Sequence, residues 1–205
     1  MDTLSLVVAF VVVWLLTGTI TGVWLVRRGH DIRWILIALM LGPIFVPIAL
    51  ERVDREGPRR ASQDRTADSW PASGAARVVV GWDGSAQAEA ALAAANRLFS
   101  ATGELVLAEV VPYEAADDPQ QSAVSAAWER LSDVVAQSAT APRHEVLVGA
   151  PAEALAQLAR QVDADVIVVG RRGRGLSRRV LGSVSTSLLE QAPVPVLVVD
   201  GDRQA

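Results

Sequence analysis

The residues 170–187, Gly-Arg-Arg-Gly-Arg-Gly-Leu-Ser-Arg-Arg-Val-Leu-Gly-Ser-Val-Ser-Thr-Ser, carry the types and spacing that chemistry at an anion requires. An apolar run at 165–169 precedes them and reads as a buried strand, and residues 183–191 read as a helix. Glycines such as Gly170, Gly173 and Gly182 let a backbone approach an anion, and free N–H groups at a helix start point at it. Arg171, Arg172, Arg174, Arg178 and Arg179 add positive charge. The chemistry implied is non-covalent capture of a phosphorylated ligand. A tight turn between strand and helix uses the same glycines, so this loop alone leaves both readings open.

Composition narrows the choice. The chain has no cysteine, which removes disulfides, thiolate metal sites and cysteine nucleophiles together. His30 and His144 are its two histidines and lie in different segments, a poor basis for a histidine metal site or a Ser/His/Asp triad. All 19 basic residues are arginine, so a P-loop lysine and Schiff-base chemistry are excluded. Residues 76–205 hold 11 Arg against 16 Asp plus Glu, a net of −5, with five of those arginines in the one loop. An acidic domain with a single basic loop fits a small-anion site better than a nucleic-acid surface.

Further candidates lie at the ends of neighbouring elements. Asp83 closes a strand within Asp83-Gly84-Ser85, where it is either a ligand contact or a turn former. Ser85 reads as the N-cap of a helix over 86–99. Ser183 either binds phosphate or caps its helix, uses that exploit the same N–H groups, and Val184, Ser185 and Thr186 extend that turn. Trp82 is either a stacking surface or a packed aromatic. His144 reads as structural or exposed.

These residues are positioned by an alternation of strands (77–82, 104–111, 144–148, 165–169, 194–199) and helices (86–99, 120–137, 151–161, 183–191). Five strands and four helices in alternation predict a parallel doubly wound sheet. The strands are continuous apolar runs, as when both faces are covered. Ligands of such sheets lie at the carboxyl ends of strands, at the topological switch point.

Before this domain come two apolar runs. Residues 3–26 contain no charge and are long enough to cross a bilayer. A signal peptide is the competing reading, but it calls for basic residues before the run and a small-residue cleavage site after it; Asp2 precedes here and Arg27-Arg28 follow. Residues 34–50 form a shorter run with Gly42, Pro43 and Pro47. Trp24 and Trp34 bracket the polar connection, and Gly18 and Gly22 allow close helix approach. The expectation is a transmembrane hairpin over 1–50, helices about 3–26 and 34–50, with a re-entrant second segment as the alternative. Residues 51–75, rich in Pro, Gly and Ser, read as a flexible linker, followed by a domain at 76–200.

Five blocks taken in order, 78–85 (VVVGWDGS), 148–154 (VGAPAEA), 164–173 (ADVIVVGRRG), 181–185 (LGSVS) and 193–199 (PVPVLVV), resemble the universal stress protein (UspA) family over nearly all of 76–200. The resemblance implies sheet order 3-2-1-4-5, an adenine nucleotide alpha-hydrolase-like arrangement with nucleotide between strands one and four. It implies that Asp83 contacts adenosine, that Val110 lies near the base, and that Gly170, Gly173, Gly182 and Ser183 hold phosphates, with Arg171 and Arg172 as the nearest cations. The family pattern has nine residues between its second and third glycines; this chain has eight between Gly173 and Gly182. The resemblance further implies ATP as ligand, with or without Mg2+, a homodimer through strand 194–199, and a cytoplasmic domain on a multi-pass inner-membrane anchor with both termini inside. A slow ATPase and a nucleotide-free dimerisation module are the alternatives.

Overall fold

Val78, Val79 and Val80 are consecutive and all fully buried, which requires a strand covered on both faces. They belong to the central strand of an α/β sheet in a computed structural model that describes residues 2–27, 33–47, 49, 59–60, 74–99, 103–117, 120–138, 140–173 and 181–201. The elements in chain order are helices α1 (Thr3–Arg27) and α2 (Trp34–Leu41), strands β1 (Arg59–Arg60) and β2 (Ala76–Trp82), and helix α3 (Ala86–Phe99). Then come β3 (Gly103–Val111), a one-turn helix α4 (Glu114–Asp117), α5 (Ser122–Gln137), β4 (Arg143–Val148), α6 (Pro151–Gln161), β5 (Val166–Gly170), α7 (Ser183–Gln191) and β6 (Val196–Val199).

The sheet order is β1-β4-β3-β2-β5-β6. Strands β2 to β6 are parallel and stand in the expected 3-2-1-4-5 order. Arg59 and Arg60 add a two-residue antiparallel pairing to Val148 and Leu147, within the segment expected to be a linker. The rest of 51–73 lies outside the described residues. Alternate side chains of each strand feed two cores. Val78, Val80, Leu107 and Val146 pack against Ala91 and Ala95 of α3 and Leu131 of α5. Val79, Val106, Ala108 and Ile167 pack against Leu155 and Leu158 of α6 and Leu188 of α7. Strand β2 pairs with β3 on one side and β5 on the other, so the order reverses between the carboxyl ends of β2 and β5. A crevice opens there by topology alone.

Of the two helices expected in the N-terminal region, the first is one unbroken helix of 25 residues and the second is shorter. Among the described residues one helical stretch, Thr3–Val26, is long and apolar enough to cross a membrane. Thr17 and Thr19 donate their hydroxyls to the carbonyls of Val13 and Leu15, at 2.8 and 2.7 Å, satisfying them within the helix as an apolar medium demands. The second run breaks after Leu41: Gly42 takes φ 56° and Gly42–Ile44 form a 3-10 turn. The Gly18 and Gly22 step does bring α1 against α2. A Cβ on Gly18 would meet the Ala38 carbonyl oxygen at 2.5 Å, and one on Gly22 would meet Ile35 Cα at 2.9 Å.

Candidate functional site

At the switch point lies a cleft of about 670 Å³. Its apolar part is built by Ala108 and Val110 of β3, Val169 of β5, and Pro151 and Leu155 at the start of α6. Its other wall is the turn after β5, with Gly170, Arg172 and Gly173, and the first turn of α7, with Gly182, Ser183, Val184 and Ser185. Trp82 and Asp83 close the end of β2. Among the described lining residues Asp83 is the acidic group and Arg172 the basic one.

Local packing explains why these residue types stand here. Gly170 ends β5 against the first turn of α3, and a Cβ on it would fall 2.8 Å from the backbone of Gln87. Only glycine lets strand and helix approach so closely. Gly173 faces the Asp83 carboxylate: a Cβ on Gly173 would meet Oδ2 at 2.5 Å. The other oxygen, Oδ1, accepts the Ser85 N–H at 3.0 Å, so Asp83 is a turn former that also points an acceptor at the loop. Gly182 is the extended residue before α7, and its N–H donates to the Arg171 carbonyl at 2.9 Å. Ser185 is 2% exposed, and its hydroxyl donates to the Gly170 carbonyl at 2.8 Å, pinning the helix to the strand end. Helical geometry leaves the first-turn N–H groups of Ser183, Val184 and Ser185 without partners inside α7, on the side of the cleft.

Of the residues expected at the site, nine line this cleft together: Asp83, Val110, Gly170, Arg172, Gly173, Gly182, Ser183, Val184 and Ser185. Ser85 and Arg171 stand outside the lining. The Ser85 hydroxyl accepts the Ala88 N–H at 3.2 Å as the cap of α3. The Arg171 guanidinium donates to Asp200 at 2.7 Å, and Asp200 also lies 3.8 Å from Arg172. The one acidic residue thus ties the loop after β5 to the end of β6. Arg174, Arg178 and Arg179 lie outside the described residues. His144 is remote from the cleft, near Ser132 Oγ at 3.3 Å with its ring 4.4 Å from that of Trp128. Burial lowers its pKa below the ordinary 6.5, and the charge of Glu145 acts weakly in the opposite sense.

Sequence reasoning missed the apolar floor. Pro151 and Leu155 enter the cleft because α6 starts beside the end of β2, and the only local sign was Pro151 at a helix start after Gly149-Ala150. The assembled arrangement offers an apolar slot for a flat ring, a carboxylate acceptor for hydroxyl groups, and N–H groups with a guanidinium for an anion.

Comparison with known proteins agrees with this architecture. The model of the universal stress protein family matches residues 75–200. A universal stress protein of Thermus aquaticus, encoded beside a sulfhydrylase, is 35% identical over 132 residues, covering 60% of this chain and 96% of that one. The solved structure of hypothetical protein MJ0577 superposes with a TM-score of 0.53 at 22% identity, over 61% of this chain and 95% of its own. A universal stress protein solved in complex with cAMP is 34% identical over 62% of this chain and 98% of its own, with a TM-score of 0.47. With the matched residues coinciding with the α/β domain and its cleft, this chain belongs to the universal stress protein family.

Proposed function

We propose that this chain is a membrane-tethered universal stress protein whose domain, on the cytoplasmic side, binds ATP as a regulatory ligand. The observation that carries this reading is the two-ended cleft at the β2/β5 switch point. Its apolar end, with Val110 and Leu155, suits an adenine ring, and Asp83 accepts from ribose hydroxyls. Its other end sets the α7 N-terminus and Arg172 where phosphates would lie. A regulatory role is favoured over turnover because the described lining offers no histidine and no second carboxylate to activate a water. On either side of the eight-residue interval between Gly173 and Gly182, the Gly182 N–H donates to the Arg171 carbonyl, which supports this reading. The α1 helix is the tether. The half-exposed apolar edge of β6, Val196–Val199, supports a homodimer, testable by light scattering on the wild type beside Leu197→Arg.

The test is calorimetric titration of ATP, AMP, cAMP and adenosine into the full-length protein in detergent. ATP binding more tightly than adenosine is the expected result, with the difference abolished by Ser183→Asp. A folded protein that takes none of the four would instead be a nucleotide-free interaction module. Phosphate release from bound ATP would make it a slow ATPase.

A further inference from the structure

The short apolar helix α2 begins beside the universal stress protein domain. The Trp34 indole Nε1–H donates to Glu114 Oε1 at 2.6 Å, and Glu114 opens α4, three residues beyond the end of β3. Arg59 and Arg60, on the far side of α2 in sequence, pair with Val148 and Leu147 at the end of β4. Both attachments lie at the carboxyl edge of the sheet. Residues 34 and 59 therefore reach one edge of one domain, which stands on one side of a membrane. A helix that crossed between them would place them about 30 Å apart on opposite faces.

The geometry of α2 agrees. The apolar stretch that α2 opens, Trp34–Pro47, spans about 21 Å at 1.5 Å per residue and is interrupted at Gly42, against about 37 Å for the 25 residues of α1. Ala38 and Phe45 pack inward toward α1 and the indole of Trp34, while Leu36, Met40 and Ile44, spaced by four, stay 71, 81 and 62% exposed. That exposed stripe is apolar, as are the exposed residues of α1 such as Leu4, Phe10 and Leu16, and fits lipid acyl chains.

From this juxtaposition we infer that α1 is the chain's one crossing and that α2 is a half-depth element seated in the leaflet next to the domain. Charge supports it independently. With two crossings Arg27, Arg28 and Arg33 would face Arg52, Arg55, Arg59 and Arg60 across the membrane. With one crossing all seven stand on the domain side, and Asp2, an acidic residue, precedes the other end of α1. The positive-inside rule then makes the domain side cytoplasmic. The single crossing rests on the two attachments and the side on charge; the function proposed above requires that side and is not used to derive it.

The absence of cysteine makes the test direct, because single Asp2→Cys, Gly29→Cys and Glu129→Cys variants can each be labelled in intact spheroplasts with a membrane-impermeant maleimide. The expected result is labelling of Asp2→Cys from outside, with the other two labelled only after permeabilisation. Labelling of Gly29→Cys alone from outside would establish two crossings and overturn the inference. Protection of all three would show that α1 does not cross and would overturn it too. Labelling of Gly29→Cys and Glu129→Cys with Asp2→Cys protected would support the single crossing while refuting the cytoplasmic site of ATP binding.

Discussion

Ser183→Asp separates the two roles of the α7 N-terminus because they respond with opposite sign. Ser183 is an exposed first-turn residue and lines the phosphate end of the cleft. A carboxylate there meets the positive end of the helix dipole, which stabilises the fold by about 0.3–1 kcal/mol. The same carboxylate repels a bound phosphate. At about 6 Å and an effective dielectric between bulk water and a protein surface, one pair of like charges costs about 0.7–2.8 kcal/mol. Salt screening and the multiple charge of a triphosphate act in opposite directions, so a net loss of about 1–3 kcal/mol is expected. That corresponds to a roughly 5- to 150-fold weaker Kd for ATP. Adenosine, which has no phosphate, should bind the variant and the wild type alike. The assay is titration of both ligands at two salt concentrations, beside a thermal melt. A variant that binds ATP as well as the wild type would refute the placement of phosphates at α7. A variant that loses adenosine and ATP equally would show that the substitution acts on the fold of the cleft instead.

Three other perturbations test the supports of the cleft. Ser185→Ala removes the buried hydroxyl that donates to the Gly170 carbonyl. It should lower stability by about 1–2 kcal/mol in a urea titration, and an unchanged midpoint would mean the carbonyl has another partner. Gly170→Ala sets a methyl 2.8 Å from the Gln87 backbone, which cannot swing aside as a side chain can. A loss of about 1–3 kcal/mol is expected, and a neutral variant would show that β5 and α3 are not in contact as described. For His144 the folded pKa lies below the unfolded 6.5, so the unfolded chain binds the proton more readily. The contribution is present above 6.5 and is lost as pH falls through the folded value. The urea midpoint of the wild type should therefore drop more than that of His144→Gln on acidification below 6.5, and parallel curves would exclude His144.

Strand identity was legible because buried parallel strands leave unbroken apolar runs, as at Val78, Val79 and Val80, and helices leave capping residues such as Ser85; strand order came only through the family resemblance. The polar half of the site was legible for a related reason. Glycines at close approaches, Gly170 and Gly173, and a serine at a helix start, Ser183, mark the backbone rather than the side chain, and backbone demands are local. Of the apolar half only Val110 was named, through the family resemblance. Leu155 looks like any core leucine in sequence, and only the sheet order brings it beneath the end of β2. Arginines failed in the same way: Arg171 and Arg172 are adjacent and both lie near Asp200 beyond β6, yet only Arg172 lines the cleft.

The apolar N-terminal region shows the boundary most sharply, because hydropathy measures whether a segment tolerates lipid and not how deep it goes. Residues 34–50 tolerate lipid throughout, and Gly42, Pro43 and Pro47 announce a bend. What decides between crossing and returning is where the two ends of the segment attach. Those attachments are an indole N–H on Glu114, 80 positions away, and a two-residue strand on β4, which pairs Arg59 with Val148 and Arg60 with Leu147. The charges carry the same information in cumulative form. Their split between the loop and the linker looks balanced when two crossings are assumed, and becomes one-sided once α2 is allowed to turn back. An anchor of this kind would hold the carboxyl edge of the sheet, and with it the mouth of the cleft, toward the membrane surface.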